Sequence, residues 1–297
     1  MTCSGIGLHS GAPVTLTLVP APVDTGIVFV RHRGDQRVAL SASVRNLVPA
    51  ELCTTISVDG MAIKTVEHVL AALAGLGIDN VLVELDGGEV PAMDGSAVPF
   101  VHLIQAAGVV PQGRPQPFLK VTQPIEIVDG AKRIVVEPSP TSRITYTIQY
   151  DHPLIQQQTY VYDWSPTGFA HGIAGARTFG FMKEVKHLWS RGLGKGGSLD
   201  NTVILTEDHV LNESGLRFQD EFVRHKVLDL IGDMAFLTVP LIGHIIAHRA
   251  GHAMHTKLVE AILAQPDKWI LVNAEPQSLS PAVKPARTVF AQPASFC

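Results

Sequence analysis

Between Phe222 and Asp233 the chain reads Phe-Val-Arg-His-Lys-Val-Leu-Asp-Leu-Ile-Gly-Asp, and three of its polar side chains, His225, Asp229 and Asp233, recur at intervals of four. Side chains four apart on an α-helix stand one above the other. These three therefore form a polar stripe beside an apolar one made of Phe222, Val223, Val227, Leu228, Leu230 and Ile231. Packing alone does not require such a stripe. An imidazole and a carboxylate at i and i+4 can converge on one small cation, and zinc takes nitrogen and oxygen ligands at about 2.0 to 2.2 Å. The same spacing also describes a solvated, hydrogen-bonded pair on a helix surface. The helix by itself leaves both readings open.

The 297 residues give room for two domains, each with a core of its own. Apolar residues at 46% and charged ones at 17% describe a well-buried globular chain. A formal net charge of −4, with 13 histidines counted neutral and no window rich in Lys and Arg, argues against nucleic-acid binding. Cys3, Cys53 and Cys297 have no C-x-x-C spacing, which disfavours both a disulfide framework and a thiolate-ligated zinc; a reducing, cytoplasmic location is expected. The most apolar run, Met234 to Ala247, is about fourteen residues long and interrupted by Pro240 and Gly243, too short for a bilayer span. No basic-then-apolar leader opens the chain, so no signal peptide is expected.

In chain order, Val14 to Leu18 and Gly26 to Val30 alternate as two half-buried strands, and short β segments continue from Arg37 to Val58. Thr65 is a candidate N-cap for a helix that ends near Gly75, and it brings Glu67 and His68 into the first turn. A strand over Ile78 to Leu85 and a helix over Ser96 to Ala107 follow. Pro111-Gln-Gly-Arg-Pro-Gln-Pro117 is the best linker, because three prolines in seven residues cannot sit inside a helix or central strand. It divides an N-terminal domain, 1–112, from a C-terminal domain, 118–275, and leaves a Pro/Ala-rich tail, 276–297. Strands are predicted over Phe118 to Ile127, Ala131 to Glu137, Arg143 to Tyr150 and Leu241 to Ala247. Helices are predicted near Met182 to Ser190, over Glu221 to Phe236 and over Met254 to Leu263. Helix, apolar strand and helix close both halves, which hints at a duplicated α+β unit. Gly192-Leu-Gly-Lys-Gly-Gly197 fits G-x-G-x-x-G but lacks the flanking strand and helix of a dinucleotide site.

Taken together, Thr65-Val-Glu67-His68, Ala176-Arg-Thr178-Phe179-Gly-Phe181, Arg224-His225-Lys226-x-x-Asp229-x-x-x-Asp233 and Ala250-Gly-His252-Ala resemble the bacterial UDP-3-O-acyl-N-acetylglucosamine deacetylases, the zinc enzymes of lipid A synthesis. Asp94-Gly-Ser-Ala97 and the loop Gly5-Ile-Gly-Leu-His9-Ser-Gly11 look like that family too, so the resemblance runs through both halves.

The resemblance implies an α+β fold of two similar domains, each a β-sheet packed against two helices, with the active site between them. It implies that His68, His225 and Asp229 hold a zinc ion, leaving a fourth position open as a catalytic site requires; ferrous iron suits the same ligands. Glu67 is then the general base and His252 the general acid, with Asp233 orienting His252 and Thr178 helping to hold the oxyanion. For the acylated UDP-sugar substrate, Lys226, pointing off the ligand face, is expected to meet the diphosphate, with Arg249 as a further basic residue. Lys132 and Tyr150 align with positions that bind the nucleotide end, and His9 matches an active-site histidine. An inserted β-α-β segment near 180–204 would wall an acyl passage with Phe179, Phe181, Met182, Leu188, Trp189, Leu193 and Val203. Family members usually carry about ten more residues before the His9 loop, so the first sheet is expected to lack an edge strand unless the start lies upstream. A monomer with no nucleic-acid partner is expected. A metal-free sugar-nucleotide binder and a different metal-dependent amidase are the competing readings.

Overall fold

The computed structural model describes residues 1–273 except residue 35; the proline-rich tail expected at 276–297 lies outside the described residues. The first half opens with strands β1 (Thr2–Ile6), β2 (Pro13–Pro20), β3 (Ile27–Arg33) and β4 (Gln36–Ser41), followed by the short strands β5 (Leu47–Val48), β6 (Thr55–Val58) and β7 (Met61–Lys64). Helix α1 (Glu67–Gly75), strand β8 (Val81–Leu85) and helix α2 (Val98–Ala107) complete it. The second half has β9 (Pro117–Val121), β10 (Ile125–Asp129), β11 (Lys132–Glu137), β12 (Arg143–Gln149) and β13 (Gln157–Asp163), then a single helical turn, α3 (Pro166–Gly168). After these come β14 (Phe179–Phe181), α4 (Met182–Ser190), β15 (Val203–Leu205), α5 (Glu221–Met234), β16 (Leu241–Ile242), β17 (His244–His248), α6 (His252–Ala264) and β18 (Trp269–Asn273).

The two main sheets have the same topology. The first runs β1-β2-β8-β3-β4, with β8 antiparallel to β2 and parallel to β3. The second runs β10-β11-β17-β12-β13, with β17 antiparallel to β11 and parallel to β12. In each, two hairpins are laid side by side and the last strand is inserted between them, so α1 and α5 precede equivalent central strands while α2 and α6 follow them. The duplicated α+β unit expected from the sequence is therefore present. Helices α5 and α6 pack on the second sheet, α2 packs on α1, and α1 packs on α5. One continuous apolar core links both sheets and these helices.

Helix α1 is buried on nearly every side, as a helix that is apolar after its first turn and lies between two layers must be, and Glu67 and His68 in that first turn are buried with it. Its entry differs from the expectation. Thr65 is not the N-cap; it has φ 57° and gives its hydroxyl to Glu89 at 2.8 Å, and the residue preceding the helix is Val66. The missing edge strand is also corrected: Thr2–Ile6 pairs antiparallel with β2 along its length. The strand expected over Phe118 to Ile127 is broken into β9 and β10 on either side of Pro124, which has no N–H for a ladder.

The inserted β-α-β unit lies where the sequence placed it. β14 and β15 pair in parallel, Phe179 opposite Val203, with α4 as the crossover. Val203 is buried, whereas Met182 and Trp189 are exposed on α4. The glycine-rich turn 192–197 is a docking element between the halves. Lys195 and Gly196 donate backbone N–H groups to the carbonyls of His9 and Leu8, and a Cβ at Gly196 would lie 2.3 Å from the Gly7 oxygen. Backbone crossing backbone is what requires glycine here.

Candidate active site

Helices α1 and α5 bring the charged residues of both halves together. His225, Asp229 and Asp233 are each 2% exposed, which removes the reading of a solvated surface pair. His68, in the first turn of α1, faces them. The Nε2 atoms of His225 and His68 lie 3.4 and 3.6 Å from Asp229 Oδ1, too long for ordinary hydrogen bonds. Asp229 Oδ1 is buried with no hydrogen-bond partner. Ligand atoms held tetrahedrally at about 2.0 to 2.1 Å from one ion stand about 3.3 to 3.4 Å apart. Two ring nitrogens around a partnerless carboxylate oxygen at this spacing fit a metal ion.

The surroundings fix these groups. His225 Nδ1 donates to the Ala176 carbonyl at 3.2 Å, which presents Nε2 to the centre. Burial pushes His225 down to about 3, so it is neutral and able to ligate. Burial alone would raise Asp229, but His225, Lys226 and His252 around it hold its carboxyl well below the usual range. The Ala176 carbonyl is itself anchored. The next residue, Arg177, gives its backbone N–H and two guanidinium nitrogens to the fully buried Glu221, which also accepts from the Arg217 backbone at 2.6 Å.

A second group surrounds Asp233. Its Oδ2 accepts from His252 Nδ1 and His255 Nδ1, each at 2.7 Å, and its Oδ1 accepts from the Thr54 hydroxyl at 2.6 Å. These are hydrogen-bond distances with protons between the atoms, so Asp233, His252 and His255 do not resemble the first group as a metal site. Burial disfavours a charged His252, yet Asp233 and Asp229 outweigh it and push the imidazole up to about 10. Burial likewise opposes the Asp233 carboxylate, and His252 outweighs it, leaving Asp233 at about 2.

Glu67 lies on the other side. Its Oε2 accepts the Thr54 N–H at 3.0 Å and its Oε1 is 3.9 Å from His252 Nε2. Burial pushes its carboxyl above the ordinary value. A carboxylate and an imidazole thus face each other across a gap that also touches Asp229 Oδ2, 3.9 Å from His252 Nε2.

Glu67, His68, Thr178, His225, Lys226, Asp229 and His252 line one small cleft of about 40 Å³, together with Leu8, Leu52 and Thr65. Lys226 differs from the expectation. Its ammonium does not point off the ligand face but donates to Asp229 Oδ2 at 2.7 Å, because i and i+3 also share a helix face, and it lies 5.5 Å from the centre of the Phe179 ring. Tyr150 packs on Phe179 and Phe181, with ring centres 5.8 and 5.9 Å away. Lys132 begins β11 and Arg249 sits in the turn between β17 and α6; neither lines the cleft. His9 lines a larger neighbouring cavity of about 370 Å³ beside Cys53, Lys64 and Arg191. Its loop is tied by the His9 and Ser10 N–H groups to Glu89, both at 2.8 Å. Sequence reasoning missed Thr54, Glu89, Glu221 and His255. Only His255 left a trace, the i,i+3 spacing from His252.

Two duplicated α+β halves bury a His-His-Asp cluster, spaced as a metal ion requires, beside a facing carboxylate and imidazole. The family model described as UDP-3-O-acyl N-acetylglycosamine deacetylase matches residues 1–264, and the chain belongs to that family. It is 48% identical over 275 residues to the UDP-3-O-acyl-N-acetylglucosamine deacetylase of Myxococcus xanthus, covering 93% of this chain and 88% of the relative. To the protein of the same name from Chromohalobacter salexigens it is 47% identical over 274 residues, 92% and 90% of the two chains. For that of Shewanella oneidensis the values are 44% over 293 residues, 97% and 96%.

Proposed function

We propose that this protein is a metal-dependent hydrolase that removes acetate from UDP-3-O-acyl-N-acetylglucosamine, a step of lipid A synthesis. The observation that carries the reading is the partnerless Asp229 Oδ1 between two ring nitrogens, with Glu67 and His252 facing each other beside it. His68, His225 and Asp229 would hold zinc, or ferrous iron, to which two imidazoles and a carboxylate are equally suited. When bound, the ion would polarise the acetamide carbonyl and make a water more acidic.

The remaining roles follow from the chain's own groups. Glu67, fixed at Oε2 by the Thr54 N–H and made more basic by burial, takes the proton of the attacking water through Oε1. His252, kept protonated by Asp233, gives its Nε2 proton to the departing amine. Thr178 lines the same cleft and offers a hydroxyl to the developing oxyanion. Lys226, paired with Asp229, remains at the cleft wall where a diphosphate could share its charge. Arg249, Lys132, Tyr150 and His9 are assigned to the outer parts of the substrate, and Phe179 and Phe181 to the start of the acyl passage that continues along the β-α-β insert.

The stretch 111–117, without helix or strand before Pro117, is assigned as the boundary between the two domains. No helix among the described residues is long and apolar enough to cross a membrane. Free Cys3 and Cys53 suit a reducing compartment, the cytoplasm, and the protein is taken to act as a monomer. The test measures metal content and acetate release from UDP-3-O-acyl-N-acetylglucosamine on the same sample. One equivalent of metal without acetate release would overturn this function in favour of a different amidase.

A further inference from the structure

The hydrogen-bond chain behind His252 is longer than a His–Asp pair. His252 and His255 are the first and fourth residues of α6, so both rings lie on the face that meets α5, and both Nδ1 atoms donate to the same oxygen of Asp233 at 2.7 Å. His255 is fully buried, and its Nε2 lies 3.0 Å from the hydroxyl of Tyr146, which is also fully buried and comes from β12, one of the two strands flanking β17 at the centre of the second sheet.

The direction of every proton follows. The Asp233 carboxylate can only accept, so His255 Nδ1 carries a proton. Burial pushes His255 below its ordinary value, which leaves the ring neutral and Nε2 an acceptor. The Tyr146 hydroxyl therefore donates, and with His255 it has the one partner found for it among the described residues. His255, His252 and Thr54 donate to Asp233, which accepts on both oxygens, and Tyr146 stands behind His255 in the same chain. Were His255 to adopt the other tautomer, its Nδ1 lone pair would face the carboxylate at 2.7 Å, so Asp233 excludes that state, and the phenol donates to the Nε2 lone pair that the remaining tautomer leaves.

We propose that Tyr146 and His255 are positioning residues. Tyr146 holds the His255 ring through Nε2, His255 holds Asp233, and Asp233 holds the His252 ring so that Nε2 faces Glu67 across the cleft. This rests on the assignment of His252 as the proton donor to the leaving amine. It extends the machinery from the cleft into the middle of the second sheet, through residues that touch neither substrate nor metal.

The test uses the metal-loaded protein and compares His255→Leu, His255→Asn, Tyr146→Phe and His252→Gln by kcat and KM for acetate release, by ¹⁵N NMR of the imidazole nitrogens, and by Tm. His255→Leu removes the donor to Asp233 and is expected to lower kcat about 10- to 100-fold with KM within twofold, as misplacing a reacting group does. His255→Asn keeps an N–H near the position of Nδ1 and should recover most of that loss. Tyr146→Phe removes the donor to His255 Nε2 and should move the nitrogen shifts of both His255 and His252, with a several-fold lower kcat, a signature that a packing role alone would not produce. Wild-type kcat in His255→Leu, or unchanged His252 nitrogen shifts in Tyr146→Phe, would overturn the proposal. If His255→Leu does not fold, the His252 nitrogen shifts and kcat of Tyr146→Phe decide it. His252→Gln separates the two levels: wild-type turnover there removes His252 as the acid, whereas collapsed turnover there with normal kcat in His255→Leu and Tyr146→Phe removes only the positioning chain.

Discussion

Gly232 of α5 faces the carbonyl oxygen of Glu67 at the start of α1 so closely that a Cβ at 232 would stand 2.1 Å from that oxygen. The two halves of the molecule are joined at this point: His68 follows Glu67 directly on α1, Asp229 lies within one turn of Gly232 on α5, and His225 lies a further turn back. The close approach is what allows His68 to reach Asp229. Gly232→Ala should therefore push the helices apart, lowering stability by about 1 to 3 kcal/mol, the usual range for overpacking. Thermal unfolding and metal content measured on the same variant check this: an unchanged Tm with full metal occupancy would contradict it.

His68→Ala, His225→Ala and Asp229→Ala are each expected to lower metal occupancy, because each removes one of the atoms that surround the buried Asp229 Oδ1 position. Metal analysis of the purified variants is the measurement. Full occupancy in any one of them would remove that residue from the ligand set.

How much of this was legible beforehand depended on whether the signal was local. The stripe His225-Asp229-Asp233 and the first-turn pair Glu67-His68 are set by helix periodicity, and the structure buries both, with Glu67, His68, His225 and Asp229 lining one cleft and Asp233 behind His252. Sheet order was not legible, because the insertion of β8 and β17 between two hairpins depends on pairings far apart in sequence. Partners supplied by irregular backbone were equally hidden. Thr54 and Glu89 lie outside any periodic segment, and Glu221, at the start of α5, reads as an ordinary first-turn acid favoured by the helix dipole. Thr65 looked like a cap because a hydroxyl before an apolar run normally is one. Here the buried Glu89 carboxylate competes for that hydroxyl and wins, with the backbone of Thr65 in the left-handed region.

Glu221→Ala should be among the most destabilising single changes in the second half. It leaves the buried Arg177 guanidinium without its carboxylate and frees the backbone of Arg177 and Arg217. Breaking a buried ion pair from one side costs about 3 to 5 kcal/mol. Because Ala176 orients His225, metal affinity should fall together with the denaturant midpoint. A variant with normal stability and normal affinity would show that the Arg177–Glu221 pair does not support the ligand.

Glu67→Gln removes a base while preserving shape and the side-chain oxygen that accepts from Thr54. Metal should be retained and kcat should fall by about 10² or more. Near-normal turnover at full metal occupancy would mean that another group takes the water's proton.

The pH profile of kcat/KM tests the acid–base assignment itself. Burial raises Glu67 above 4.5, so the base becomes available only as pH rises through that higher value, which sets the acidic limb. His252 is raised from 6.5 to about 10, so the acid is present at neutral pH and is lost as pH passes through about 10, which sets the alkaline limb. Asp233→Asn takes away a negative charge that favours the imidazolium, so the alkaline limb should move to lower pH. His252→Gln should lower the rate at neutral pH and flatten the alkaline limb, since no imidazole remains to lose a proton there. If the alkaline limb of His252→Gln coincides with that of the unsubstituted protein at fixed metal content, the group that titrates is not His252, and the leaving amine takes its proton from elsewhere.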